Sequence, residues 1–94
     1  MPTVEAKVVL TNKMGLHARP STQIATAASR FIAEIRVTKD DVAADAKSVL
    51  ELLMLAAECG SELIITAEGE DAAQATAELV KIIAGRFGEL DVDH

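Results

Sequence analysis

An open-faced two-layer α+β sandwich is the fold class this sequence predicts: βαββαβα, a four-stranded antiparallel sheet covered by three helices on one side. Three observations lead there. Four short segments alternate apolar and polar residues, so each strand has one face to bury. Three other segments read as helices whose apolar sides must find that face. Finally, the 94 residues hold no internal repeat and no linker, which suits one core and not two.

The elements follow in order. Val4 to Thr11 puts Val4, Ala6, Val8 and Leu10 on one side of a strand. Asn12 to Gly15 is a loop, its Asn and Gly tolerating positive φ. Pro20 suits the first helical position, and Ile24, Ala28 and Phe31 recur at helical spacing, so a helix is expected from 18 or 20 to about 29. Arg19, preceding a proline, is pushed half outside it. Ile32 to Thr38 is a strand with Ala33, Ile35 and Val37 inward, and Lys39-Asp40-Asp41 turns into a short strand at Val42 to Ala44.

Ser48-Val49-Leu50-Glu51 matches a capping box, with the serine hydroxyl on the Glu51 amide and the glutamate reaching back. Behind it Leu52 to Ala57 is apolar nearly all round, and Gly60 is the expected stop of a helix over 48–58. A helix so poor in polar surface is either buried or shows apolar side chains to a partner. Glu62 to Glu68 is the fourth strand, with Leu63, Ile65 and Ala67 on one face. Gly69-Glu70-Asp71 opens an acidic helix start, and Ala72, Ala75, Leu79, Ile82 and Ile83 make a buried stripe that Gly85 ends. Phe87 is expected to fold back onto the core. The domain is expected over 1–88, with 89–94 a mobile acidic tail.

Composition narrows the partners. A formal net charge of −6, with no basic cluster and no stacking aromatics, argues against nucleic acid and against direct membrane binding. No apolar run reaches spanning length and no secretory leader opens the chain, so a cytoplasmic protein is expected. The single cysteine, Cys59, forms no internal disulfide and reads as a small core residue. Two histidines give no metal constellation, and Asp40, Asp41 and Asp45 lack the glycine turn and distal glutamate of a calcium loop. Neither metal nor cofactor is expected.

The residue that could carry chemistry is His17, the only internal histidine, at the junction of strand and helix. On spacing alone an exposed loop histidine or a backbone-bonded cap is the commoner outcome. The sharper reading is a nucleophile for phosphoryl transfer. Imidazole attacks in its neutral form, and the free amides of a helix N-terminus with the Arg19 guanidinium suit the charged oxygens of the transferring group. Ser48 is fully explained as a cap, although a phosphate there would also sit at a helix start.

Asn12-Lys13-Met14-Gly15-Leu16-His17-Ala18-Arg19-Pro20 resembles the active-site signature of the HPr phosphocarriers of the bacterial phosphoenolpyruvate-dependent phosphotransferase system. Ala46-Lys47-Ser48-Val49-Leu50 resembles that family's second signature, and Ala67-Glu68-Gly69-Glu70-Asp71 its turn into the last helix. The resemblance runs from about Val4 to Phe87 in the family's element order. It implies that His17 accepts a phosphoryl group on Nδ1 from the phosphohistidine of Enzyme I and passes it to an EIIA-type domain. Arg19 would steady the phosphate, helped by the Ala18 and Arg19 amides. Ser48 would be the site that an HPr kinase/phosphorylase modifies in some branches.

Leu16, Ala18, Thr22, Val49, Leu50 and Leu53 would form the apolar docking surface of a monomeric carrier. Thr26, Ser29 and Glu51 stand where enteric sugar-type carriers have lysines, and Ser21 stands where alanine is usual. The run from Ser48 to Leu55 looks closer to the nitrogen-branch carrier and to other proteobacterial forms. Two other readings compete with the stoichiometric carrier. One is a regulatory binding protein acting through Ser48 phosphorylation and the 48–58 helix. The other is a small-molecule-sensing module of ferredoxin-like character, which would need an enclosed apolar pocket.

Overall fold

The computed structural model describes residues 2–89. The elements are β1 (Thr3–Val9), α1 (Ala18–Ala28), β2 (Glu34–Lys39), β3 (Val42–Asp45), α2 (Val49–Met54), β4 (Glu62–Glu68) and α3 (Ala72–Ala84), then a 3₁₀ turn over Arg86–Gly88. The strands form one antiparallel sheet in the order β1-β4-β2-β3. This is the predicted βαββαβα sandwich.

Register follows the apolar alternation. Val8 faces Leu63, Ala6 faces Ile65, and Val37 faces both Ile65 on β4 and Ala44 on β3. Those residues line one sheet face, and α3 packs across β1, β4 and β2 over it. Leu10, Ile24, Ile35, Leu52, Leu63, Ile65, Leu79 and Ile83 are the largest side chains sealed inside. Phe87 folds back onto this core as expected. With almost no aromatics to fill space, alanines at 25, 27, 28, 33, 44, 46, 57, 67, 72 and 75 bring the backbones close.

Four expectations need correcting. The second helix covers Val49–Met54 and not 48–58. Leu55 and Ala56 make tightened bonds to Leu52 and Leu53, and Ala56 takes φ 50°, which turns the chain out of the helix before Gly60. Tertiary pairing overrides local propensity here: the Ala57 carbonyl accepts from Leu16, while Gly60 and Ser61 bond to Leu10. The same turn puts Cys59 on the surface, not in the core. Ile32, read as the start of a strand, is exposed, and β2 begins at Glu34. Pro20 stands third in α1 instead of first, because Ala18 and Arg19 are already helical.

The loop before β2 is held from two sides. Lys47 Nζ donates to the Phe31 carbonyl at 2.8 Å. The Ile32 and Ala33 amides donate to the Asp71 carboxylate at 2.8 Å each. Asp71 thus serves this loop and makes no side-chain cap on its own helix. The Ile32 bond first, opposed by partial burial and assisted by the Ala33 bond and the Lys47 charge, holds the Asp71 carboxyl below its ordinary range. A carboxyl that is more acidic when folded stabilises the fold above the ordinary aspartate range, and that contribution is lost as pH falls through the lowered folded-state value. Asp71→Ala is therefore expected to lower the melting temperature at pH 7, with the deficit shrinking below about pH 4. Thermal unfolding at pH 7 and pH 3 checks this; an equal deficit at both would show that the bonds do not depend on the carboxylate charge.

Candidate functional site

The loop from β1 to α1 is fixed before it reaches His17. Asn12 is buried, and its Nδ2 donates to the Gly15 carbonyl at 2.8 Å, while the Gly15 amide returns a bond to the Asn12 carbonyl at 3.2 Å. Gly15 takes φ +69° and lies against the Ala57 carbonyl and the Glu58 Cα, where any Cβ would collide with backbone. That close approach lets the Leu16 amide donate to the Ala57 carbonyl at 2.9 Å. The His17 amide then bonds to the Gly15 carbonyl at 3.0 Å.

His17 is consequently the N-cap of α1, with extended angles of φ −98° and ψ −170° and no side-chain bond to its own helix. Its carbonyl accepts the first helical bond, from Ser21. Pro20 has no amide hydrogen, so the orphan donors of this first turn are the Ala18 and Arg19 amides. Neither makes a hydrogen bond among the described residues. The Arg19 side chain is exposed and likewise has no hydrogen bond or ion pair among them. An anion beside His17 would therefore meet two backbone N–H groups, a helix N-terminus and a guanidinium.

The imidazole is open to solvent, its side chain 38% exposed. Its Nε2 lies 3.2 Å from Oε2 of Glu89, while Nδ1 has no partner among the described residues. Glu89 belongs to the segment expected as a mobile tail; the rest of that segment, 90–94, lies outside the described residues. Nothing in local sequence pattern connects Glu89 with a histidine 72 positions away.

Ser48 caps α2 as expected, accepting from the Glu51 amide at 3.2 Å. The reciprocal half of the box does not form: Glu51 Oε1 accepts from the Asp45 amide at 2.9 Å, and the Ser48 amide donates to the Asp45 carbonyl at 3.0 Å. Of the residues expected to dock a partner, Leu16 is a correction, since at 5% exposure it belongs to the core. Ala18 and Thr22 are exposed, Thr22 with its hydroxyl bonded back to the Ala18 carbonyl, and Val49 is half-buried. Leu50 stands 69% exposed and Leu53 partly so. Met54, at 71%, and Met14 are equally open, although neither is among the residues expected to dock a partner. The loop carrying Met14 runs beside the end of α2 through the Gly15–Ala57 approach.

Ser21 follows Pro20 in the first turn of α1. It is fully buried and its hydroxyl has no partner among the described residues, so it adds no accessible group beside the site. Such an orphan costs about 1–3 kcal/mol, a reason for alanine to serve equally well there. Open grooves of about 300 Å³ run between α1 and α3, one lined by Thr22, Thr26, Arg30 and Ile82, and include neither His17 nor Arg19. They are not the enclosed apolar cavity that a small-molecule sensor needs. Among the described residues there is no metal-ligating cluster and no helix long and apolar enough to cross a membrane.

A four-stranded sandwich that places a solvent-open histidine at a helix N-terminus, beside backbone amides with no partner among the described residues, has the makings of a site for a small anionic group. Comparison with known proteins makes this specific. The sequence model of the family described as "PTS HPr component phosphorylation site" matches residues 4–85. Phosphocarrier protein HPr of Neisseria meningitidis is 40% identical over 86 residues, which is 92% of this chain and 97% of that one. Phosphocarrier protein NPr of Shewanella violacea is 38% identical over 89 residues, 95% of this chain and 98% of that one. The crystal structure of HPr-C-His from Thermoanaerobacter tengcongensis superposes with a TM-score of 0.89 at 37% identity, covering 93% of this chain and 98% of the other. The chain belongs to the HPr family, the phosphocarriers of the phosphotransferase system.

Proposed function

We propose that this protein accepts a phosphoryl group on Nδ1 of His17 from phosphorylated Enzyme I and hands it to a histidine of an EIIA-type domain. The observation that carries this reading is the state of the junction: an open imidazole whose Nε2 is engaged by Glu89, with Nδ1 and the two neighbouring amides unpaired among the described residues. The Nδ1 lone pair attacks phosphorus in line as the donor's N–P bond breaks. The Ala18 and Arg19 amides and the Arg19 guanidinium receive the equatorial oxygens, where charge gathers in the transition state. The ring is open to solvent, which suits a stoichiometric carrier whose donor and acceptor proteins must each reach the same atom.

Ala18, Thr22, Val49, Leu50 and Leu53, with Met14 and Met54 added, would be the face on which both partners dock. Apolar side chains left in water on a chain of net charge −6 favour partners that bring complementary apolar surface. Ser48 sits at the edge of that face. A phosphate placed on it by an HPr kinase/phosphorylase would add a dianion beside Leu50 and oppose docking. Regulation through Ser48 is thus compatible with the relay and would act as its brake.

Two experiments check these roles. His17→Ala is expected to abolish transfer of an acid-labile label from phosphorylated Enzyme I, and Arg19→Ala to slow it. The slowing should be on the order of 10- to 100-fold, less than for a buried oxyanion donor because the guanidinium is in water. Label retained in His17→Ala would remove the histidine from the mechanism. Ser48→Asp is expected to slow transfer from Enzyme I by about tenfold or more; a rate equal to that of the unsubstituted protein would separate Ser48 from the docking surface.

A further inference from the structure

We propose that Glu89 is a positioning residue for the relay: its carboxylate holds the His17 proton on Nε2 and so keeps the Nδ1 lone pair available to phosphorus. This rests on the phosphocarrier reading given above. A carboxylate can only accept, so the 3.2 Å contact with Oε2 requires the hydrogen to be on Nε2. A neutral imidazole has one N–H, and Nδ1 is then the nucleophilic nitrogen. A histidine ring left in water populates both tautomers and rotates about χ2; this one is restrained in both respects.

Glu89 is itself held. Its other oxygen, Oε1, accepts from Nδ2 of the buried Asn12 at 3.4 Å, and the same Nδ2 donates to the Gly15 carbonyl at 2.8 Å. Its amide donates to the Arg86 carbonyl at 2.9 Å. Arg86, Phe87 and Gly88 take φ of 56°, 57° and 73°, three successive left-handed residues that reverse the chain towards His17. Two of them are not glycine, a conformation that persists only where the surroundings impose it. The surroundings are visible: Phe87 is sealed in the core, and its carbonyl accepts from Gln23 Nε2 of α1 at 3.1 Å. The turn thus anchors the end of the described chain to the helix that bears the phosphate-binding amides.

The chemistry balances without moving a proton. The Nδ1–P bond forms as the donor's N–P bond breaks, the donor nitrogen keeps that electron pair, and Nε2 keeps its hydrogen, still donated to Glu89. Onward transfer returns the pair to Nδ1.

Long-range ¹⁵N–¹H NMR of His17, at a pH where the ring is neutral, reads the tautomer directly. Single-turnover phosphorylation by Enzyme I reads the consequence. Glu89→Ala is expected to raise the Nδ1–H tautomer and to lower the saturating rate roughly 2- to 10-fold, the effect of one lost hydrogen bond, with KM unchanged. Glu89→Gln, whose carbonyl can still accept, should recover most of both. An unchanged tautomer ratio in Glu89→Ala, or a rate loss that lies wholly in KM and is not rescued by glutamine, would overturn the proposal. If the unsubstituted protein takes no phosphoryl group from Enzyme I, the carrier reading falls, while the tautomer ratio still decides whether Glu89 holds the ring.

Discussion

Gly15 leaves a gap where any other residue would drive a Cβ into the Ala57 carbonyl and the Glu58 Cα, and both halves of the site form around that gap. Backbone cannot move aside as a flexible side chain can. The approach allows the bond from Leu16 to Ala57, and its effects run in two directions. Towards the C-terminus it fixes where the loop ends, so that His17 is extended and Ala18 helical. On the opposite segment it draws the chain after Met54 away from a helical path, through left-handed Ala56. What remains of α2 is a six-residue helix that leaves Leu50 and Met54 exposed. An exposed ring, two free amides and an apolar surface thus share one structural cause.

The strands were the most legible part of the sequence, because their signal is local. In β4 the alternation of Leu63, Ile65 and Ala67 is unbroken between turn residues, and the observed bounds, Glu62–Glu68, are those the pattern predicts. The stripe of α3 is read in the same way. What the sequence hid are side chains that choose distant partners over near ones. Glu51 turns to Asp45 instead of the Ser48 amide, and Asp71 turns to the loop before β2 instead of its own helix. Residue type also misled: Cys59 has a buried residue's chemistry, yet it lies in a turn whose bonds run to Leu10. Leu16 and Ser21 flank the active residues in sequence but point inwards.

His17 was visible as a junction residue, and only family resemblance raised it above an ordinary cap. Glu89 was not visible at all, since it depends on a core phenylalanine, a run of left-handed residues and a buried asparagine acting together. The two residues illustrate how a small carrier divides its labour. In the proposed relay the helix N-terminus would supply anion-binding donors that need no side chain, and the side chains around the ring would set its orientation and leave one nitrogen open. Burial would strengthen each of these interactions, but it would also shut out the second protein. An exposed ring held by distant contacts would reconcile precise orientation with access from both the donor and the acceptor of the proposed relay.

The most direct measurement of the central claim is the ³¹P NMR spectrum of the protein after incubation with Enzyme I and phosphoenolpyruvate, recorded with ¹⁵N-labelled histidine. A single phosphoryl group coupled to Nδ1 of His17, and lost on addition of an EIIA-type domain, is the result expected. Phosphorus on Nε2 of His17, or on any other side chain, would contradict the account.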